Sequence, residues 1–515
     1  MKKKLNYIVP SIGDVLLVAL FLAMSFSPKF VLLGDADTGW HIRIGEFILD
    51  NFFIPDHDIF SYVTPPLPWT TAEWLSEVIM AVLHGAFGLN GVVIFFAFLI
   101  SLIYYLLFRM IRRYKGNILI DIFIILIVIV SSMLHWLARP HIISAVLFLI
   151  SYYILDNFQD NNNKNYLYLL PPIMLCWVNL HGAFISGFIL IGIYLISNSI
   201  IFFISNGTKK EESKKKTKIL SLIALLCILI SFLNPHGYNI FVYPFKVLSN
   251  QYLMDHIIEF LSPNFHEFSV IPFRYLLLLV ITIIAITRNE LKFTELFLIL
   301  LFTNMALYSA RYILLFSVVV APILSRHCKL LFKQLKGKAI NWLQKKSEEI
   351  AAIDATSRGY LWVIPLALIF PLVFGGGLDH RFDDKKKPVA AVEFLKKEFL
   401  KGNMFNEYAF GGYIVYSAYP QYKVFIHGKI DWRGEEKFKE YYKIALFESG
   451  WEDLIEKYNI NWIIFDTDSA LSRFLKERND WRIIYTDKVA SIFVRNVSDN
   501  FDIIKKYCQP LSPAN

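Results

Sequence analysis

Four cysteines in 515 residues leave little to build with sulfur. Cys176, Cys227 and Cys328 sit in or beside apolar segments, and Cys508 lies near the C-terminus. Their spacing makes neither a metal clip nor a disulfide framework. Charged residues are also scarce, at 18% of the chain. There is no Gly-x-Ser-x-Gly, no Walker loop and no His-Glu-x-x-His, which argues against nucleophile-elbow, P-loop and zincin chemistry. Phe410-Gly411-Gly412-Tyr413 is too short for a phosphate loop and reads as a tight turn. The first apolar run, Ile12 to Leu33, is followed by Gly34-Asp35-Ala36-Asp37 and not by a small-residue cleavage site. It reads as an uncleaved helix.

What the chain has in excess is apolar surface. It is 56% hydrophobic and 16% aromatic, with mean hydropathy +0.46. That composition defines an α-helical polytopic membrane protein. A spanning helix needs about 20 mostly apolar residues, and about eleven candidates occur. They centre near Leu20, Phe98, Leu126, Leu149, Met174, Gly192, Leu225, Val280, Leu301, Val319 and Leu368. The net charge of +9 comes in clusters at Lys2–Lys4, Arg109–Lys115, Lys209–Lys218 and Lys329–Lys346, all between or before apolar segments. No base-stacking aromatic pattern surrounds them, so they indicate cytoplasmic loops and contact with anionic membrane lipid, and no nucleic acid.

Alternation from an inner N-terminus puts the basic loops inside. It puts Asp35–Glu73, His135–His141, Asn179–His181, Asn234–Phe273, Tyr308–Arg311 and everything after Leu378 outside. The outer loops before residue 378 hold His41, His57, His135, His141, His181, His236, His256 and His266, eight of the 12 histidines. Interfacial anchoring has no reason to choose one leaflet, so chemistry is predicted on the outer face of the inner membrane.

Two domains are expected: a membrane domain over 1–377, with its first outer loop at 34–75, and a small extracytoplasmic α/β domain over 378–515. In the latter, Val389–Leu400, Glu436–Phe447, Trp451–Tyr458 and Ala470–Lys476 read as helices. Tyr413–Tyr416, Val424–Ile426, Trp462–Phe465 and a closing hairpin at Trp481–Tyr485 and Ser491–Arg495 read as strands. Ser76–Phe87 reads as an interfacial helix with Glu73 and Glu77 on one face. Lys329–Arg358 reads as an amphipathic helix on the inner surface.

The first outer loop carries the acids. Asp35 and Asp37, one residue apart, can divide base and cation-binding roles. The alternative is a helix cap, which is stronger for Asp35, nearer the helix end. Cations gather at other outer helix ends: Arg139, His141, His181, His236 and Arg311. A guanidinium at head-group depth suits a phosphate, and its alternative is snorkelling to the interface.

The first loop reads Asp-x-Asp-x-x-Trp-His-x-x-x-Gly at Asp35–Gly45, then Ile-Pro-x-x-Asp-x-Phe-Ser at Ile54–Ser61 and Pro-Trp-x-x-x-Glu-Trp-Leu at Pro68–Leu75. With one span before it and a soluble domain at the end, the chain resembles the GT-C superfamily of membrane glycosyltransferases. That group includes protein O-mannosyltransferases, aminoarabinose transferases and oligosaccharyltransferases. The chain is more closely similar to a set of bacterial membrane proteins that share the first-loop pattern and the stretches Asn406–Ile414 and Val424–Lys429. In those relatives the last stretch more often ends Asp-Gly-Arg, so His427 and Lys429 depart from it.

The resemblance implies transfer of a sugar from a polyprenyl-phosphate carrier to an envelope glycan, lipid or protein. Asp37 is the expected base, with Asp35 orienting the acceptor or holding a cation. Trp40, His41, Glu73, Arg139, His141, His181, His236 and Arg311 are the expected substrate-binding residues. A divalent cation is compatible with the group but does not follow from it. Two other functions stay open: a transporter or flippase for an anionic lipid-linked substrate, which would use the same cations, and a non-catalytic scaffold whose outer domain binds a partner in envelope assembly. Transport sites, however, sit near the bilayer midplane and not at one face.

Overall fold

The computed structural model describes residues 7–27, 31–161, 164–374, 378–429 and 434–507. Lys2–Lys4 and Cys508 lie outside the described residues. The chain divides into two compact units, 1–27 with 93–378 and 28–92 with 379–515.

The first unit is a helical bundle. Each expected apolar centre in it lies on a helix. Six helices of the described chain are long and apolar enough to cross a membrane, or up to seven if a bent pair, Lys338–Thr356 with Tyr360–Pro371, counts as one span. Ile12–Ser25, Leu167–Leu180 and Phe293–Tyr308 are apolar but shorter. The chain is therefore a multi-pass membrane protein. The helix Ile313–Gln334 packs against Ile118–Ser132, Phe293–Tyr308 and Ile271–Ile286. The arginines of the basic cluster after the helix Trp74–Arg112 do more than set topology. Arg112 pairs with the buried Asp121, and Arg113 reaches Asp156 and Asn157. Such pairs satisfy charges that would be costly to bury alone.

The second unit combines the segment after the first helix with the C-terminal residues. Its sheet has the order β1-β2-β4-β3. Here β1 is Asn403–Asn406, β2 Ile460–Asp466, β3 Trp481–Thr486 and β4 Ala490–Arg495. β1 runs parallel to β2, and the other two pairings are antiparallel. Ile463 and Ile464 of β2 and Ile492, Phe493 and Val494 of β4 are fully buried, because both inner strands are covered on both faces.

Two expected strands are corrected. Tyr413–Tyr416 belongs to the helix Tyr408–Ala418, which also contains Phe410-Gly411-Gly412-Tyr413, the expected turn. Val424–Ile426 forms no strand; Val424 makes a single parallel bridge to Ser61. Packing reverses the local preference. A Cβ on Gly412 would sit 2.6 Å from the Ala36 carbonyl oxygen, so this helix crosses the helix Asp37–Asn51 at backbone distance. Only glycine permits that approach, which outweighs its poor helix propensity. The helix Trp74–Arg112 is non-helical at Gly88, with φ 61°, which ends the expected segment Ser76–Phe87 one residue after Phe87.

The α/β part contains one acid set for pH sensitivity. Glu407 is mostly buried, and burial, with Asp466 nearby, pushes its carboxyl up to about 7 against a hydrogen bond from Tyr441. A raised carboxyl contributes stability that is complete below its unfolded value near 4.5 and is lost as pH rises through 7. Glu407→Gln keeps an acceptor for Tyr441 and removes the titration. It should melt with wild type at pH 4 and be more stable at pH 8.5, by about 3 kcal/mol at most, in a thermal scan.

Candidate functional site

The helix Asp37–Asn51 starts without a side-chain bond from its N-cap, Ala36. Asp35 takes over: its Oδ1 accepts the Asp37 N–H at 3.0 Å. Asp37 itself stands in the first turn, where the helix dipole favours a carboxylate. Its Oδ1 lies over Gly428; a Cβ there would sit 1.9 Å away. Any side chain at position 428 would displace the Asp37 carboxylate.

The residues on either side of Gly428 bind the other acids of the same segment. His427 Nε2 lies 3.3 Å from Asp58 Oδ1. The Lys429 N–H lies 3.3 Å from His427 Nδ1, an acceptor geometry that leaves Nε2 as the proton-bearing nitrogen in the neutral ring. Asp58 Oδ1 also accepts the Phe60 and Ser61 N–H groups at 2.9 and 3.1 Å. Burial alone would raise the Asp58 carboxyl, but His427 and Ser61 hold it far below the usual carboxylate range. Lys429 Nζ donates to Glu73 Oε2 at 2.8 Å and lies 5.4 Å from the Trp40 ring. Three consecutive residues, 427 to 429, thus receive Asp58, Asp37 and Glu73 in turn. Lys387 is a further cation: burial lowers it, while Asp35 and Asp37 oppose the shift.

Trp40 and His41 are 3% exposed each. Their rings lie 3.6 Å apart, and His41 Nδ1 meets the buried Glu77 at 3.0 Å. Both residues therefore hold the first segment in place here. Arg43 anchors the same helix by donating to the Tyr416 carbonyl at 2.7 Å.

The expected cations form a separate group in the first unit. Arg139 pairs with Glu259. Arg139 first, then Arg311 and His141, draw the Glu259 carboxyl down to about 2 against the effect of burial. His141 Nε2 donates to the His135 carbonyl at 2.9 Å, and His135 Nε2 to that of Ala310 at 2.8 Å. His181 Nδ1 accepts from Ser144 Oγ at 2.9 Å, and Ser144 is fixed by Trp177 Nε1. The Arg311 guanidinium lies 4.9 Å from the Phe260 ring. His236 is tied by its backbone N–H to Asn234, whose side chain donates to Val178 and Asn179. The structure thus gathers Arg139, His141, His181 and Arg311, and it anchors His236 through the Asn234 turn.

Among the described residues, no group of three His, Cys, Asp or Glu side chains could hold a metal ion. Sequence reasoning missed Asp58, Lys387 and Glu259 as members of these groups and discounted His427 and Lys429. The signal at 427–429 was present as two basic residues flanking a glycine.

Neither a protein-family model nor a curated protein matches the chain in sequence. Solved structures do match in fold. The archaeal oligosaccharyltransferase AglB from Archaeoglobus fulgidus, in complex with an inhibitory peptide and a dolichol-phosphate, aligns with TM-score 0.57 at 12% identity, over 94% of this chain and 74% of its own. The oligosaccharyltransferase of the same organism in the apo form aligns at 0.54 and 12% identity, over 95% and 74%. ArnT from Cupriavidus metallidurans in the apo state aligns at 0.51 and 13% identity, over 94% and 98%. These neighbours are GT-C superfamily membrane glycosyltransferases, and the mostly helical fold with a small sheet near the C-terminus matches theirs.

Proposed function

We propose that this chain is an inverting membrane glycosyltransferase. It moves a sugar from a polyprenyl-phosphate carrier to an envelope glycan, lipid or protein on the outer side of the inner membrane. Asp37 takes the proton of the acceptor hydroxyl as its oxygen attacks the anomeric carbon. The bond from that carbon to the carrier phosphate breaks, and the phosphate leaves with the electron pair. Arg139, His141, His181, His236 and Arg311 hold that phosphate and stabilise the charge it gains. Asp35 keeps Asp37 in place through the bond to its N–H. In this reading the chain spans the membrane about eleven times, with a cytoplasmic N-terminus and residues 378–515 outside.

The observation that carries the proposal is the seating of Asp37 within a GT-C fold. Its carboxylate lies in a helix first turn, against a glycine where a Cβ would displace it, with Lys387 in electrostatic range. The test is to incubate purified protein with radiolabelled polyprenyl-phosphate sugars and envelope extract. Label moving to an extract component, in wild type and not in Asp37→Asn, is the expected result. Label that stays on the carrier with every sugar tried would overturn it.

A further inference from the structure

Beside the His427–Asp58 pair, the second unit has a recess with about 400 Å³ of empty volume, counting its open mouth. Asp58, Trp69, Phe425, His427, Lys429 and Lys437 line it. Lys437 is 7% exposed, and its Nζ is buried with no hydrogen-bond partner. The Phe425 ring lies 4.8 Å from it. Leaving three N–H donors of a buried ammonium unused is costly, and a ring face recovers only part of that cost.

The acids nearby are engaged. Asp58 Oδ1 receives two backbone N–H groups and His427 Nε2. Glu440 binds Lys457 and Tyr458, and Glu73 binds Lys429. The recess therefore holds one ammonium whose donors are unmatched. Burial draws Lys437 down to about 8, with Asp58 and Glu440 opposing, so it is mostly charged at neutral pH.

We infer that this recess binds a negatively charged group, a carboxylate or a phosphate, on the acceptor saccharide, with Lys437 as its ion-pairing donor. Leu67, Pro68 and Trp69 add apolar surface to the lining, of the kind that meets the C–H face of a sugar ring. The word acceptor rests on the transferase reading; the anion site does not. The chemistry is that of a compact ammonium meeting an anionic oxygen in a partly desolvated site.

The experiment is calorimetric binding to the purified full-length protein. The probes are trigalacturonic acid, its fully methyl-esterified form and glycerol 3-phosphate. Wild type should bind trigalacturonic acid at least tenfold more tightly than the ester, which keeps the rings and removes the charge. Lys437→Met should erase that difference and melt no lower than wild type, because it removes a buried ammonium that has no hydrogen-bond partner. Lys437→Arg should retain part of the preference. Glycerol 3-phosphate binding in its place, and lost in Lys437→Met, would support the site and assign it to a phosphate-bearing acceptor. Equal affinity for acid and ester without phosphate binding, or a preference that survives Lys437→Met, overturns the inference. Binding is read without sugar transfer, so failure of the transferase reading would leave this result standing, and the reverse.

Discussion

Asp37→Asn is expected to lower kcat for sugar transfer by about a hundredfold or more, with thermal stability near wild type. The substitution keeps the shape of the side chain and removes its ability to take a proton. It also keeps a side chain of the same size against Gly428, where a Cβ would displace the carboxylate. Asp35 is the natural control. Its carboxylate accepts the Asp37 N–H, and Asn accepts the same bond, so Asp35→Asn should change chemistry little. Asp35→Ala loses the bond, at about 1 kcal/mol by the usual value of such caps, and should slow transfer by loosening Asp37. Single-turnover transfer with saturating donor separates these cases. If Asp35→Asn is dead and Asp37→Asn is active, the roles are exchanged. If both are fully active, general-base catalysis by this segment is wrong.

The bundle was legible because apolar runs and basic loops are local signals, and every expected centre in it lies on a helix. The α/β helices and the closing hairpin were legible for the same reason; Ala470–Lys476 is found with the expected bounds. The helix Tyr408–Ala418 was not. Its aromatic and β-branched residues around Gly411-Gly412 favour a strand locally, and only the crossing with the helix Asp37–Asn51 decides otherwise. Strand β1 was missed because four residues, Asn403–Asn406, carry no periodicity, and their partner is β2, far along the chain.

The same distance hid half of the acid site. Asp37, Glu73, Arg139 and His181 announce themselves by residue type and by place beside apolar segments. Their partners do not. Asp58 and His427 are 369 residues apart, and Glu73 and Lys429 are 356 apart. A single sequence contains no information on such pairings. His427 and Lys429 looked like losses from a family pattern, yet each faces an acid of the first segment.

Arg139→Ala should lower kcat/KM for the polyprenyl-phosphate donor by about a hundredfold, the range for removing one charged, hydrogen-bonded partner of an anion. Arg139→Lys should restore only part of it, since an ammonium cannot offer the planar fork. The reason for choosing Arg139 over Arg311 is its partner. Arg139 already binds a carboxylate, Glu259, whereas Arg311 lies over the Phe260 ring. An arginine that already pairs with a carboxylate is placed to hold another anion. The Glu259 carboxyl is drawn down to about 2, so it stays ionised and competes with the phosphate at every pH above about 4. Glu259→Gln removes the competing charge and should lower the donor KM several-fold, with no pH dependence of the gain between pH 5 and 8. Its side chain is 40% exposed, so water can solvate what Arg139→Ala leaves behind, and that variant should still fold. The opposite pattern is equally definite. If Arg139→Ala and Glu259→Gln both leave donor KM and rate at wild-type values while lowering the melting temperature together, the pair is an anchor for the segment 258–260. The phosphate must then be held by other groups.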